Sequence, residues 1–210
     1  MSWSRNGETR GYHHGNLREA LMQATRDLIL EKGIAGVTFA EAARRAGGSP
    51  AAPYRHFRDR DEMVAAVASA GFERLAETLS AAWQAGRPSP FEAFERVGRA
   101  YLEFARLRPA DYAAMFESGL SEEMHEGLRQ AGDKAFGVLR DGAEALVAHI
   151  PGPGRPPALM VALHAWSLAH GIASLFGRPD SARRKLPMGP EDLLEAGFLV
   201  YLRGLGAPAA

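Results

Sequence analysis

The sequence predicts an all-α protein in two parts: an N-terminal three-helix head that contains a helix-turn-helix, and a larger helical body. Two observations support this fold class. Apolar residues recur at the three- and four-residue spacing of amphipathic helices along most of the chain, and no segment shows the alternation of a strand. Capping residues together with Gly and Pro breakers divide this pattern into separate helices.

Composition narrows the range of functions. The chain contains no Cys, which excludes disulfides, thiolate chemistry and Cys-ligated zinc sites. It begins with a polar stretch instead of a signal peptide, so we expect a cytoplasmic protein. The net charge is zero, but residues 1–60 carry ten Lys and Arg against six Asp and Glu, whereas the other 150 carry fifteen against nineteen. A basic head on an acidic body suits a protein whose head binds DNA.

The helix-turn-helix is predicted between Thr38 and Phe57. Thr38 and Glu41 form a capping box that starts one helix, and Gly47-Gly48 ends it. Ser49 is the next N-cap, and Pro50 suits a first helical position. We therefore expect head helices at about 16–32, 38–46 and 49–57, the last of which would enter the major groove. The alternative is a surface helical hairpin without a function.

The second helix of this motif has small residues that would let its backbone approach base edges, followed by side chains that can reach phosphates. Pro53 removes one backbone hydrogen bond, so we expect a short or distorted turn there. The residues predicted to face bases are Ser49, Pro50, Ala51, Ala52, Pro53 and Arg55, and those predicted to bind phosphates include Tyr54 and His56.

Residues 1–15 are predicted to form a flexible basic arm, the helix-turn-helix domain to cover 16–60 and the body 61–210. Such an arm follows a DNA backbone or enters the minor groove, although a disordered terminus is the alternative. His13 and His14 are adjacent and lack a third ligand nearby, so no metal site is expected.

The body contains several predicted helices. One runs from Asp59 to about Trp83 and links head to body, and others begin near Ser89, Pro109, Ser121 and Pro190. Four glycines in the segment that starts at Ser121 predict a kink or close packing. The segment 158–176 has the length of a membrane span, but its histidines, serine and many alanines favour a buried helix.

An enzyme is not expected. The chain has no Gly-rich phosphate loop, no metalloprotease run and no nucleophile elbow, and its carboxylates fall mostly where helix capping explains them. No cofactor is expected either.

The run from Tyr54 to Phe57, followed by Asp59-Arg-Asp-Glu-Met63, resembles the signature of tetracycline-repressor-like (TetR-family) transcriptional regulators. The spacing from Thr38 to Gly47 agrees, and Gly48 departs from the small aliphatic residue usual there. The resemblance implies phosphate contacts for Thr38 and for Arg60, which stands where the family usually has Lys. Two further features resemble one subgroup of this family, which has a C-terminal Trp-His-Gly domain. They are the run from Tyr12 to Arg18 and Trp166 with His170-Gly171.

This resemblance implies a homodimeric one-component regulator, most often a repressor, which leaves a palindromic double-stranded DNA operator when a small molecule enters the body. A DNA-binding protein or activator without an effector is the alternative. The body contains many aromatic residues and methionines, which suit a mostly apolar effector, although each of these residues alone is better explained as part of the core. The predicted pocket residues are Tyr101, Phe104, Tyr112, Met115, Phe116, Phe136, Trp166 and His170.

The last two helices usually build the dimer interface in the resembled family, and here they are too apolar to remain exposed on a monomer. The predicted interface residues are Ala162, Ala165, Ala169, Ala173, Leu193, Gly197, Val200 and Tyr201.

Overall fold

A computed structural model of the chain describes residues 17–49, 51–121, 125–151, 154–177 and 187–205. These residues form eight α-helices and three short 3-10 helices, and no strand occurs among them, so the all-α prediction is confirmed. The α-helices are α1 (Leu17–Lys32), α2 (Phe39–Arg45), α3 (Arg60–Trp83), α4 (Pro90–Leu107), α5 (Pro109–Phe116), α6 (Glu126–Ala148), α7 (Ala158–Gly177) and α8 (Pro190–Gly204). The predicted arm at 1–15, Pro50 and the start of the run at Tyr12 lie outside the described residues.

The head, residues 17–57, packs α1 and α2 around a small apolar interior that includes Leu21, Leu28 and Phe57. The N-terminus of α2 is capped as predicted, because the Thr38 hydroxyl accepts a hydrogen bond from the Glu41 amide at 3.3 Å. At the other end of α2, Arg45 forms two hydrogen bonds with the Glu31 carboxylate, which ties α2 to α1.

The second helix of the motif is much shorter than the predicted 49–57 and is limited to a 3-10 helix at Pro53–Arg55. Proline has no amide hydrogen, so the carbonyl of Ser49 cannot accept a bond from residue 53 as it would in an α-helix. It accepts one from the Ala52 amide at 2.9 Å instead. The expected distortion at Pro53 therefore extends to the whole element.

Helix α3 connects the head to the body. The Asp59 carboxylate caps it by accepting a hydrogen bond from the Glu62 amide at 2.8 Å. Along its 24 residues, α3 contacts α1 in the head and α4, α5 and α6 in the body. Any displacement of α3 by the body must therefore reach the head.

The four glycines of α6 predicted either a kink or close packing. The helix continues without a break, so the structure shows close packing and not a kink. A Cβ atom at Gly142 would lie 3.2 Å from Cδ2 of Phe94 in α4, whereas one at Gly127 or Gly137 would meet nothing within 4 Å. The packing account therefore holds at Gly142 and not along the whole helix.

Helix α7 is buried on one side only. Its alanines face the interior of the protein, whereas Leu159, Leu163 and Leu175 are more than two-fifths exposed. It is the one helix of the described residues with the length and hydropathy of a membrane span, and core helices of soluble proteins share that composition. The sequence predicted that this helix is buried on most sides, but within one protomer only one side of it is buried.

Candidate DNA-binding surface and effector cavity

The 3-10 helix that follows α2 presents the predicted DNA-binding residues unequally. Tyr54, 66% exposed, packs its ring edge-on against Phe39 of α2 at 4.9 Å between centroids, which holds its hydroxyl outward. Pro53 is buried, so its predicted place against the bases needs correction: it lies beneath this turn and not on its surface. The remaining predicted side chains are exposed at Thr38, Ser49, Ala51 and Arg55, and half-buried at Ala52 and His56.

Arg60 forms hydrogen bonds within the head. Its guanidinium donates to the carbonyl oxygens of Val37 and Ile34 at 3.0 Å and 2.6 Å, and to Asp61 at 2.7 Å. These bonds join the α1–α2 connection to the start of α3. A guanidinium has five N–H donors, so a phosphate contact by Arg60 would have to use those that remain.

Two basic side chains near this surface were not selected from the sequence. Arg44, in the last turn of α2, and Arg58, just before α3, are each about three-quarters exposed. Position next to the motif was their only signal, because surface arginines occur throughout the chain.

A cavity of about 250 Å³ lies in the body between α3, α4, α5, α6 and α7. Its walls are mostly apolar. The lining residues are Phe72, Leu75, Leu79, Tyr101, Phe116, Gly132, Asp133, Ala135, Phe136, Leu139 and Trp166.

The predicted pocket residues divide into two groups. Tyr101, Phe116, Phe136 and Trp166 line the cavity. Tyr112 and His170 stand behind this wall, where their rings approach Phe116 to 4.9 Å and 4.7 Å.

Phe104 and Met115 are buried away from the cavity, so their placement in the lining is corrected. The sequence also missed the three α3 residues Phe72, Leu75 and Leu79, since a helical stripe of core residues and a cavity wall have the same spacing.

A hydrogen-bonded network stands behind the cavity. The hydroxyl oxygens of Tyr101 and Tyr112 lie 2.9 Å and 3.0 Å from Nδ1 of His170. Burial raises the pKa of Tyr112 to about 12, raises that of Tyr101 further, and lowers the pKa of His170. At neutral pH all three groups are therefore uncharged, and the network can offer hydrogen bonds but no ionic attraction.

Charge at the cavity is limited to one carboxylate. Of the lining side chains in the described part of the chain, only Asp133 is charged, and it is exposed and 3.1 Å from Arg129. The same part of the chain holds no group of three His, Asp or Glu side chains placed to bind a metal ion.

An ion pair between head and body is the feature that sequence reasoning missed entirely. Arg26 in α1 donates from Nε to Oδ1 of Asp111 in α5 at 2.8 Å, and both side chains are buried. Asp111 has the sequence context of an ordinary first-turn acid, and its partner lies 85 positions away. No local pattern connects the two.

Most of the residues predicted to form the dimer interface lie on the inward faces of α7 and α8, so the prediction is corrected. Ala162, Ala165, Ala169 and Ala173 are at most 7% exposed and belong to the protomer's own core. Gly197 faces inward too, since a Cβ there would lie 2.8 Å from Cδ2 of Leu168.

The other predicted interface positions in α8 differ among themselves. Val200 is 73% exposed, whereas Leu193 and Tyr201 are half-buried against the core, with the Tyr201 hydroxyl 3.0 Å from Nδ1 of His164. The exposed apolar face of α7 and α8 comprises Leu159, Met160, Leu163, Leu175, Leu199 and Val200.

Two family models match the chain. Residues 21–67 match the model described as "Bacterial regulatory proteins, tetR family", and residues 94–197 match "Tetracyclin repressor-like, C-terminal domain". Together they cover most of the head and the body. No curated protein matches the chain.

Solved structures share the fold along nearly the whole chain. A protein with unknown function from Rhodococcus sp. RHA1 is 29% identical, with 93% of this chain and 98% of that chain covered and a TM-score of 0.78. The TetR family transcriptional regulator PfmR from Thermus thermophilus is 22% identical, with coverage of 87% and 97% and a TM-score of 0.67. AibR, solved with isovaleryl coenzyme A and operator DNA, is 15% identical, with coverage of 88% and 97% and a TM-score of 0.67.

Proposed function

Because the chain belongs to the TetR family of DNA-binding transcriptional regulators, we propose that it is a cytoplasmic repressor whose homodimer binds a palindromic operator. A small, uncharged and mostly apolar effector enters the cavity of the body and releases the operator. The alternative, a DNA-binding protein or activator with no small-molecule effector, predicts a different outcome in the test below.

The observation that carries this proposal is the position of α3. Phe72, Leu75 and Leu79 of this helix line the cavity, and Arg60 at its first turn holds the α1–α2 connection of the head. A molecule in the cavity would contact the same helix that positions the DNA-binding surface. Such a molecule changes operator binding only when it prefers one of two arrangements of α3.

The chemistry of the cavity supports an uncharged effector. Its walls are aromatic and aliphatic apart from the exposed Asp133, which is paired with Arg129, and the network of Tyr101, Tyr112 and His170 is neutral. An anion buried without a cationic partner loses its hydration without compensation. The volume of about 250 Å³ is slightly below the range of about 300–1,000 Å³ usual for small-molecule sites, which favours a compact molecule.

The structure of AibR with operator DNA supports the DNA-binding part of the proposal. Its ligand, isovaleryl coenzyme A, is not carried over, because a coenzyme A group brings several phosphates and the residues that the structure describes place no Lys or Arg in the cavity lining.

The homodimer would bury the exposed apolar face of α7 and α8. Helices α7 and α8 are adjacent and together expose several large apolar side chains, and clusters of such side chains mark interaction surfaces. The proposal also includes the subgroup with the Trp-His-Gly domain, which rests here on Trp166 and His170-Gly171 in α7.

The test begins with selection of an operator from random DNA by the full-length protein. Neutral compounds are then screened, each paired with a carboxylate of the same skeleton, such as 4-phenylphenol with 4-phenylbenzoate. We expect effectors among the neutral members, which raise the melting temperature by mass action and release the operator. Failure to select any operator contradicts DNA binding, effectors found only among carboxylates contradict the effector class, and an operator complex that no compound affects supports the alternative.

A pair of variants then locates the effector. Phe136→Ala should enlarge the cavity and shift the effector response while operator binding survives. Phe104→Ala removes a buried ring that does not line the cavity, so it should lower stability without a change in response.

A further inference from the structure

We propose that Asp111 is a latch between the cavity and the DNA-binding head, and that it has two arrangements that differ in how many bonds it makes to Arg26. This inference rests on the proposed function, because it assigns the contact through which the cavity would act on the head. Two observations support it. One is an ion cluster that joins α1, α3 and α5, and the other is a buried N–H donor of Arg26 that the cluster leaves without a partner.

The cluster shares one carboxylate between two cations. Oδ1 of Asp111 accepts a hydrogen bond from Nε of Arg26 at 2.8 Å, while Oδ2 lies 3.4 Å from NH1 of Arg74 in α3. Charge-assisted hydrogen bonds of this kind are normally about 2.7–2.9 Å long. The contact with Arg26 is therefore strong and the one with Arg74 is weak. Arg74 NH1 also lies 3.5 Å from the carbonyl oxygen of Ala70.

The buried donor without a partner is NH2 of Arg26. The Arg26 side chain is only 9% exposed, and NH1 reaches Glu19 at 3.3 Å, but NH2 has no hydrogen bond within the described residues. A buried donor left unpaired destabilises the arrangement that contains it. Arginine normally binds a carboxylate by two parallel bonds, and here the second oxygen is directed to Arg74 instead.

A second arrangement follows from this geometry. If Oδ2 turns from Arg74 to NH2 of Arg26, Asp111 holds Arg26 by two bonds and the unpaired donor is satisfied. The exchange replaces a long, partly exposed contact with a short, buried one. The shared arrangement persists because α3 and α5 hold Arg74 and Asp111 beside each other.

Helix α5 connects this latch with the cavity. Asp111 precedes Tyr112, which contacts His170, and Phe116 one turn later lines the cavity. α5 lies so close to α3 that a Cβ at Gly71 would be 2.7 Å from Sδ of Met115 and 3.2 Å from Cβ of Asp111. A ligand that displaces Phe116 or Tyr112 therefore moves Asp111 relative to Arg74 and Arg26, and α1 responds because Arg26 is part of it.

The test compares removal of the weak cation with removal of the carboxylate. Arg74→Met should free Oδ2 for Arg26, so the melting temperature should stay at or above that of the parent protein and the amides of α1 should exchange hydrogen more slowly. Asp111→Asn should lower the melting temperature clearly, because it removes the buried counter-ion of Arg26 and leaves only the longer contact with the exposed Glu19. Equal losses of stability in both variants, or unchanged exchange in α1, would overturn the latch.

Operator binding supplies the functional readout. Because Arg74→Met holds the latch in one arrangement, its affinity for the selected operator in the absence of ligand should differ from that of the parent by at least about fivefold, the lower end of typical coupling. Arg74→Lys, which keeps the charge, should restore the parent affinity. Arg99→Met is the matched control, because it removes an arginine from an exposed pair between α4 and α8 and should leave operator affinity unchanged.

The two proposals fail differently. If the parent protein selects no operator, the proposed function fails, whatever the stability of the variants. If the parent binds an operator but Arg74→Met binds it with the same affinity as Arg99→Met, the latch fails and the proposed function stands.

Discussion

Individual residues decide the chemical character of the cavity, and His170 shows how. Its ring is surrounded by Tyr101, Tyr112 and Phe116. Burial among these rings disfavours the imidazolium and lowers the pKa. The same side chain on a surface helix would be a cation in part of the population near pH 6.5. Packing, and not residue type, makes this polar group neutral.

The lowered pKa of His170 predicts a pH dependence of stability. Because the folded state binds the proton less readily than the unfolded state, the unfolding free energy should decrease as pH falls below about 6.5, the ordinary pKa of His, until the folded pKa is reached. Urea unfolding at pH 7.5 and 5.5 should show a larger loss for the parent than for His170→Gln, which keeps a polar group but cannot titrate. Parallel losses in the two proteins would contradict a neutral, buried His170.

At the scale of the helices, glycine determines how closely α4 approaches α8. A Cβ at Gly98 would lie 2.5 Å from Cε2 of Phe198 and 3.1 Å from Cδ2 of Leu194, so only a hydrogen atom fits between these helices. Gly98→Ala should therefore lower the unfolding free energy by about 1–3 kcal/mol, the usual cost of overpacking, as measured by urea denaturation.

Gly127 in α6 is the control for this substitution, because a Cβ there has open space. Gly127→Ala should raise the unfolding free energy by about 0.4–1 kcal/mol through the smaller entropy of the unfolded chain. If the two substitutions have equal effects, helix propensity dominates and the close approach of α4 to α8 is not what limits position 98.

Several helix starts could be predicted from the sequence because capping is local, although the start predicted at Ser121 is wrong, since α6 begins at Glu126 without a side-chain cap. Thr38, Asp59 and Ser89 each accept a hydrogen bond from the amide three residues ahead, and each helix begins at the next residue. The extent of the second motif helix was predicted wrongly because the effect of Pro53 competed with an otherwise helical pattern. Its outcome depended on where the Ser49 carbonyl finds a donor, which spacing does not reveal.

The faces of α7 could not be assigned from the sequence. The alanines at 162, 165, 169 and 173 have helical spacing, which fits a contact with a partner and a contact with the protein's own core equally well. In the structure these alanines pack into the protein's own core, and Leu163 between them is exposed, whereas Leu168 packs toward Gly197 of α8. For the same reason, the aromatic residues of the body predicted a pocket, but their spacing could not distinguish Phe136, which lines it, from Phe104, which does not.

At the scale of the whole molecule, the proposed homodimer places a partner on the exposed apolar face of α7 and α8. Leu163→Glu should convert the dimer to a folded monomer, because a carboxylate on the exposed apolar face opposes burial there. Light scattering measures the oligomeric state and circular dichroism the fold. Leu107→Glu, on an exposed leucine at the end of α4, is the control and should remain dimeric.

The same experiment with Ala169→Glu should give an unfolded protomer, since Ala169 is buried in the core of one chain. A parent protein that is monomeric at micromolar concentration, or a Leu163→Glu variant that stays dimeric, would contradict the assignment of this face.

Among the described residues the cavity lining has no cationic side chain, and under the proposed function this has a consequence for what a cell carrying the protein can sense. Charge is the main barrier to passage through a lipid bilayer, so compounds that suit this lining also permeate membranes without a transporter. Their cytoplasmic concentration then follows the concentration outside the cell. Under the proposed function, the regulator would monitor its surroundings directly, and its threshold would be set by its own affinity and not by the capacity of an uptake system.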